Sequence, residues 1–271
     1  MYLEYYGLTL PPFDLTPNPR FLFYSAKHRE AFNHLLYGIR ERKGFVQLTG
    51  EVGAGKTTVC RAMFEQLGDR FATALILNPV LNADQLMKAI AMEFGLDVRN
   101  LDRLDTVAAL NQFLLRQAEL QLDAVLIIDE AQDLTDELLE QVRLLSNLET
   151  DDRKLLQIVL MGQPELRTRL NAHALRQLRQ RIMVRYHLKP LSRAEVGQYV
   201  RHRLQVSGAK GSPSFTAGAL WRLHRYSGGI PRLVNAVCDK CLLAGFVQNE
   251  DQIDFRKVGV AIRELEGRID V

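Results

Sequence analysis

Cysteine is scarce in this sequence: Cys60, Cys238 and Cys241 are the three among 271 residues. Cys238-Asp-Lys-Cys241 has C-x-x-C spacing, but no second pair is present to complete a zinc site. The pair also falls in a helical pattern (Leu233, Val237, Cys241, Leu242), which reads as buried helix cysteines rather than redox or metal chemistry. Excess charge of one sign is equally small. Thirty-five Lys and Arg against 32 Asp and Glu leave a net +3, too little to argue for nucleic-acid binding by itself. No apolar run approaches the roughly 18 residues of a membrane span. The start, MYLEYYGLTLPPFD, has an early acid, two prolines and no basic n-region, so it is not a secretory signal, and a cytoplasmic protein is expected. Repeats, low-complexity tracts and long polar linkers are missing. What remains is 47% apolar and 25% charged, a soluble globular composition long enough for one large or two modest domains.

Against that plain background one stretch stands out. GEVGAGKT, Gly50 to Thr57, fits G-x-x-x-x-G-K-[ST] at every fixed position. It follows an apolar run (Phe45, Val46, Leu48) and precedes a helix-compatible run from Val59 to Leu67, the strand–loop–helix context that the motif requires. Gly50, Gly53 and Gly55 allow a tight turn and close approach of backbone to a ligand. The successive N–H groups of Glu51, Val52, Ala54, Lys56, Thr57 and Thr58, with the helix N-terminus, form an anion site. Lys56 can reach the β- and γ-phosphates of ATP, and the Thr57 hydroxyl can bind Mg²⁺. The plain alternative is a Gly-rich turn before an ordinary helix.

Short apolar runs alternate with helical patterns through the first two-thirds of the chain. The pattern predicts strands at Phe45–Leu48, Ala72–Leu77, Ala124–Ile128, Leu155–Met161 and Met183–Leu188. Helices are predicted at Thr57–Leu67, Ala83–Phe94, Thr106–Leu120, Thr135–Leu148 and His173–Gln180. Such alternation means βα units and a mainly parallel sheet of five strands, with a ligand crevice at the strand C-termini. After Pro190 helices follow one another: Ser192–Gln205, Thr216–Tyr226, Pro231–Val247 and Asp254–Leu265. Ser192 with Glu195 reads as a capping box, and Pro231 is placed to start a helix. The expected organisation is an αβα core over 1–190 and a small all-helical domain over 191–271.

AVLIIDEAQDL, Ala124 to Leu134, supplies a partner motif. Its apolar run reads as a strand buried on both faces. In a P-loop NTPase an Asp at such a strand end holds Mg²⁺, which assigns Asp129. A neighbouring carboxylate, Glu130, can take a proton from the attacking water. Adjacent strand residues point opposite ways, so the two carboxylates can take separate roles. An acidic strand end that caps the next helix is the alternative. The letters DEAQ also resemble a helicase box, but the roughly 80 residues after Pro190 read as helices and leave no second sheet domain.

Gln163, just past the next strand, could touch the γ-phosphate or the attacking water, or could be a turn residue before Pro164. Arg167 to Lys189 holds Arg167, Arg169, Arg176, Arg179, Arg181, Arg185 and Lys189 and no acid. A solvated basic face, nucleic-acid contact, and an arginine supplied across a subunit interface all fit; the last would fall on Arg181, with Arg179 next. Arg232, in GGIPR at the start of a helix, could reach back to bound phosphates. A basic side chain there is mildly unfavourable near a helix N-terminus, which favours a functional reason for it.

Together GEVGAGKT, LIIDE, Gln163, the arginines around Arg181 and GIPR make the chain similar to AAA+ ATPases. Its opening, through FLFYSAKHREAFNHLLYGI, resembles the general secretion pathway A-type (ExeA-like) ATPases, an opening shared with a pilus-assembly ATPase of the mannose-sensitive haemagglutinin system. The resemblance implies ATP hydrolysis with Mg²⁺ in an oligomer that serves a type II secretion apparatus or a type IV pilus. It implies Lys56 on phosphate, Asp129 on Mg²⁺, Glu130 as base, Gln163 and Arg232 as nucleotide sensors, and residues 1–43, with His28-Arg29-Glu30, on the adenine side. Longer members of that family continue into a membrane helix and a periplasmic domain, so membrane contact through a partner is expected here. AAA+ proteins more often carry Asn, Ser or Thr where Gln163 stands, although the A-type ATPases agree with it. A DNA-associated transposition helper of the MuB or TniB type shares the core, and the basic stretch keeps that reading open. A nucleotide-gated adaptor that hardly turns over is the third, and intact Glu130 argues against it.

Overall fold

In a computed structural model, residues 1–268 are described apart from residues 17, 78, 151 and 152, so residues 269–271 of the expected helical domain lie outside the described residues. The strands are β1 (Phe45–Gly50), β2 (Phe71–Ile76), β3 (Asp123–Ile128), β4 (Leu156–Gly162), β5 (Ile182–Leu188), β6 (Ser214–Phe215) and β7 (Gln252–Ile253). The helices run from α1 (Tyr2–Tyr5), α2 (Ala26–Arg40), α3 (Lys56–Leu67), α4 (Ala83–Glu93), α5 (Arg103–Glu119) and α6 (Asp136–Leu145) to α7 (Pro164–Leu170) and α8 (Arg176–Arg181). After β5 come α9 (Arg193–Val206), α10 (Ala217–Ser227), α11 (Pro231–Val247) and α12 (Phe255–Leu265). Contacts divide the chain into two compact units. One is Arg29–Gly50 with Val59–Leu188; the other is Met1–His28 with Glu51–Thr58 and Lys189–Val271.

The first unit is a five-stranded parallel sheet in the order β2-β3-β4-β1-β5. Its central strands are buried on both faces and mostly apolar, as all-parallel sheets require, with Gln47 and Thr49 of β1 and Gln157 of β4 as buried polar exceptions. Phe45, Leu126, Ile128, Ile158 and Leu160 join Leu86, Ile90, Leu110, Leu138 and Leu166 in one cluster on one face. On the other face α2 lies so close that a Cβ on Gly38 would collide with Val46. That helix is absent from the periodicity reading because His28, Asn33, His34 and Gly38 dilute its apolar stripe. The stripe is real: Ala31, Leu35 and Ile39, four residues apart, are fully buried. The helix expected at His173–Gln180 is a 3-10 turn, His173–Leu175, followed by α8.

In the second unit, α9 to α12 share a core with the N-terminal segment: Tyr6, Leu8 and Phe13 pack with Val196, Val200, Val234, Val237 and Cys238. The segment is also pinned by polar contacts. Tyr6 donates its hydroxyl hydrogen to the Glu250 carbonyl at 3.1 Å, and the Thr9 N–H donates to the Ser207 carbonyl at 2.8 Å. Buried Arg203 donates to Tyr199 Oη at 2.9 Å and to the Asp14 carbonyl at 3.3 Å, with its guanidinium 4.6 Å over the Phe21 ring. The Ser192–Glu195 capping box forms, Gly228 ends α10 at φ 58°, and Pro231 starts α11. A two-residue parallel pair, β6 with β7, adds to the helices. Cys238 and Cys241 sit buried in α11 with thiols pushed up by burial, Cys241 to about 12, so neither is a nucleophile at neutral pH.

Candidate active site

The Gly50–Thr57 loop joins central strand β1 to α3. Gly50 is required by crowding, since a Cβ there would lie 2.8 Å from the Leu188 carbonyl oxygen. Gly53 and Gly55 are required by conformation, with φ of 76° and 101°. They are also required by close neighbours: a Cβ on Gly53 would run into Arg232, and one on Gly55 would come within 3.0 Å of His28 Nε2. Ala54 N–H closes the turn on the Glu51 carbonyl at 3.1 Å. Lys56, almost wholly buried, donates to that same carbonyl at 3.2 Å. No acid occupies the first turn of α3, so its positive end is left for an anion. Glu51 and Val52 are exposed, and Thr57 and Thr58 half-buried.

Two loop carbonyls are tethered within this unit. The Arg232 main-chain N–H donates to the Gly53 carbonyl at 3.2 Å. His28, buried, places Nε2 3.0 Å from the Ala54 carbonyl and Nδ1 2.8 Å from Ser25 Oγ; this geometry makes Nε2 the donor to Ala54. Burial lowers the His28 pKa. Sequence reasoning looked to the Arg232 side chain, which is exposed; its backbone makes the contact.

The carboxylates belong to the sheet unit. Asp129 extends β3 by donating its N–H to the Ile76 carbonyl at 2.8 Å, and its side chain is buried. Glu130 leaves the strand: its φ is +49°, and its N–H donates to Asp129 Oδ1 at 2.9 Å. The two carboxylates thus diverge through a left-handed residue, not through strand alternation. A non-glycine residue held there is strained, the kind of outlier that clusters at functional sites. Glu130 Oε2 accepts from Gln132 Nε2 at 2.9 Å and from Gln163 Nε2 at 3.2 Å. Gln132 Oε1 in turn accepts the Gln163 N–H at 3.0 Å. Arg169 holds the turn by donating to the Gln132 and Leu134 carbonyls, both at 2.6 Å. Gln132 and Arg169 were missed as site residues, although the Q of DEAQ was the signal.

Arg179 and Arg181 of α8 face apart. Arg181 donates to Ser146 Oγ and to the Arg143 carbonyl, beside a cavity of about 550 Å³ lined by Arg143, Arg176, Gln177 and Gln180. Arg179 donates to the Asn171 carbonyl at 3.4 Å and lines a different pocket.

Residues 39–170 match the AAA domain family. About half of the chain thus resembles an AAA domain. Over 268 residues, 98% of the chain, it is 48% identical to general secretion pathway protein A of Aeromonas hydrophila, and it spans 49% of that protein's length. Among solved structures it is similar to the Aeropyrum pernix ORC2 protein (TM-score 0.65, 15% identity, covering 88% of this chain and 67% of that one). It is also similar to the Thermotoga maritima RuvB Holliday junction branch migration motor (TM-score 0.59, 18% identity, 89% and 69%). These likenesses establish the P-loop NTPase fold of the AAA domain, with its parallel five-stranded sheet and a helical C-terminal part.

Thr57 and Asp129 supply a hydroxyl and a carboxylate, donors suited to Mg²⁺. That ion keeps several waters and takes few protein ligands. Among the described residues no group of three or more His, Cys, Asp or Glu side chains could hold a metal ion.

Proposed function

We propose that this chain is an ATP-hydrolysing member of the general secretion pathway A-type family. In this reading it couples its nucleotide state to assembly of a type II secretion or type IV pilus machine. The reading is carried by the 48% identity to general secretion pathway protein A across 98% of the chain. Since that match spans 49% of the relative, the relative's activity and partners are part of the proposal. No described helix is long and apolar enough to cross a membrane.

The main-chain N–H groups of Gly50–Thr58 and the Lys56 ammonium hold the phosphates. Thr57 and Asp129 hold Mg²⁺, which when bound offsets phosphate charge. Glu130 accepts the proton of the attacking water, held in aim by Gln132 and Gln163. The Arg232 backbone, tied to Gly53, passes loop movements to α11. Arg181, with Arg179 as the alternative, is assigned to the nucleotide of a neighbouring copy in an oligomer.

The test is Glu130→Gln, which is expected to keep ATP binding and lower turnover by about 10²-fold or more; persistent steady-state hydrolysis would remove Glu130 as the base. For Arg181→Ala, we expect unchanged ATP affinity and loss of the part of the activity that rises with protein concentration. A wild type whose activity per chain is concentration-independent would rule out an arginine in trans. A second reading, a DNA-associated ATPase, is favoured by the acid-free basic stretch Arg167–Lys189; tight, steeply salt-dependent duplex binding in ATP would favour it.

A further inference from the structure

The sheet unit contains a second polar pocket that shares no residue with the Gly50–Thr57 loop. It arises from the alternation of β1. Phe45, Gln47 and Thr49 share one face, but only Phe45 belongs to the apolar cluster. Gln47 and Thr49 are also almost wholly buried, yet they floor a cavity of about 330 Å³. The neighbouring strand continues this floor. Arg185 stands opposite Gln47 and His187 opposite Thr49 in the β1–β5 register. The walls add Arg167 from the last turn of α7 and Arg179 from α8. The pocket thus gathers buried polar side chains of β1 and polar side chains of β5 at one point.

Its charge is one-sided. Three arginines line it and no carboxylate does. Among the described residues none of the three guanidiniums is paired with an acid. Two are braced by main-chain carbonyls instead: Arg185 donates to the Arg179 carbonyl, and Arg179 to the Asn171 carbonyl. Bracing of this kind fixes the guanidiniums without neutralising them. Beneath them the Thr49 hydroxyl lies 3.1 Å from His187 Nδ1. The chemistry is that of an oxyanion receptor: planar guanidinium donors above amide, hydroxyl and imidazole groups.

We propose that this pocket binds a phosphate group carrying two negative charges. Three arginines and a polar floor offer more donors and more charge than a single carboxylate needs. The pocket is also wired to the nucleotide loop through the chain itself, because Thr49 is followed directly by Gly50. A bound phosphate that fixes the Thr49–His187 contact therefore restrains the first residue of the loop.

The test uses the full chain carrying Lys56→Ala, which disables the loop as a phosphate site, titrated with inorganic phosphate and pyrophosphate by calorimetry at low ionic strength. One pyrophosphate per chain is expected, and Arg185→Gln or Arg167→Gln added to that background should weaken it about tenfold or more while leaving Tm at the parent value. Should Arg185→Gln unfold the chain, Arg167→Gln, on the exposed side of α7, gives the same readout. Binding absent in the Lys56→Ala chain, or unchanged by both arginine substitutions, overturns the proposal. Phosphatidic acid vesicles distinguish the source: retention that pyrophosphate displaces identifies a lipid headgroup and keeps the chemistry. Duplex DNA retention lost in the same variants, with neither phosphate probe binding, overturns the proposal in favour of a nucleic-acid surface.

Discussion

If Gln132 and Gln163 act by aiming Glu130, their effects on turnover must depend on Glu130 being a carboxylate. Gln163→Ala removes one hydrogen bond to Glu130 Oε2, at 3.2 Å. Bonds to charged groups contribute about 1.5–3 kcal/mol, and both side chains are half-buried, so the low end applies: ~1.5 kcal/mol, about tenfold in rate. Gln132→Ala removes the 2.9 Å bond to the same oxygen and also strips the Gln163 N–H of its acceptor. Its expected cost is about 2–3 kcal/mol, or roughly 30- to 150-fold. The assay is steady-state phosphate release at saturating ATP, with nucleotide affinity measured separately; kcat should fall and affinity should not. Each substitution is then repeated in Glu130→Gln, where a double-mutant cycle isolates the coupling. Near-silence of both substitutions in that background is the expected result. A full tenfold loss from Gln163→Ala with Glu130 already replaced would refute the aiming role and place Gln163 on the substrate or the water directly.

Two further substitutions probe the tethers of the loop. Gly53→Ala forces a Cβ into left-handed backbone at φ 76° and against Arg232; the backbone alone costs about 1–2 kcal/mol, so a lower Tm and weaker nucleotide binding are expected, and a neutral result would show that the Arg232 contact gives way freely. His28→Gln addresses pH. Burial lowers the folded-state pKa of His28, so the unfolded chain binds the extra proton first and stability falls as pH drops below the ordinary histidine value of about 6.5. Removing the imidazole should flatten that slope in urea midpoints measured between neutral and mildly acidic pH. The residual slope falls to His202, whose pKa burial also lowers, and an unchanged slope in His28→Gln would show that His28 is not buried neutral.

What the sequence made legible is what the backbone pattern controls. Buried parallel strands are mostly apolar on both faces, so β1, β3 and β4 announce themselves, and the Ser192 capping box and Pro231 mark helix starts because their chemistry is local. The loop motif was legible for the same reason, but the purpose of its glycines was only partly so. Gly50 and Gly53 leave room for the Leu188 carbonyl and for Arg232, neighbours more than a hundred residues away that no local reading supplies. Glu130 shows the same limit from the other side. A left-handed glutamate has no sequence signature, so the alternation rule separated Asp129 from Glu130 correctly in effect and wrongly in cause.

Helix geometry alone separates two of the arginines of α8. Residues two apart on a helix point about 200° from each other, so Arg179 and Arg181 cannot serve one phosphate from an intact α8. The structure bears out that geometry: Arg181 turns to Ser146 and the Arg143 carbonyl, Arg179 to the Asn171 carbonyl. An arginine offered to a neighbouring copy must therefore break one of two different sets of bonds. Arg181 would give up a side-chain hydroxyl and a carbonyl, Arg179 a single long carbonyl contact. Arg181 thus starts from the more costly position, and its release would free Ser146 and the end of α6, the helix that begins six residues after Glu130. A trans role for Arg181 consequently predicts that Ser146→Ala raises assembly-dependent turnover by easing that release, whereas a trans role for Arg179 predicts that Ser146→Ala does nothing.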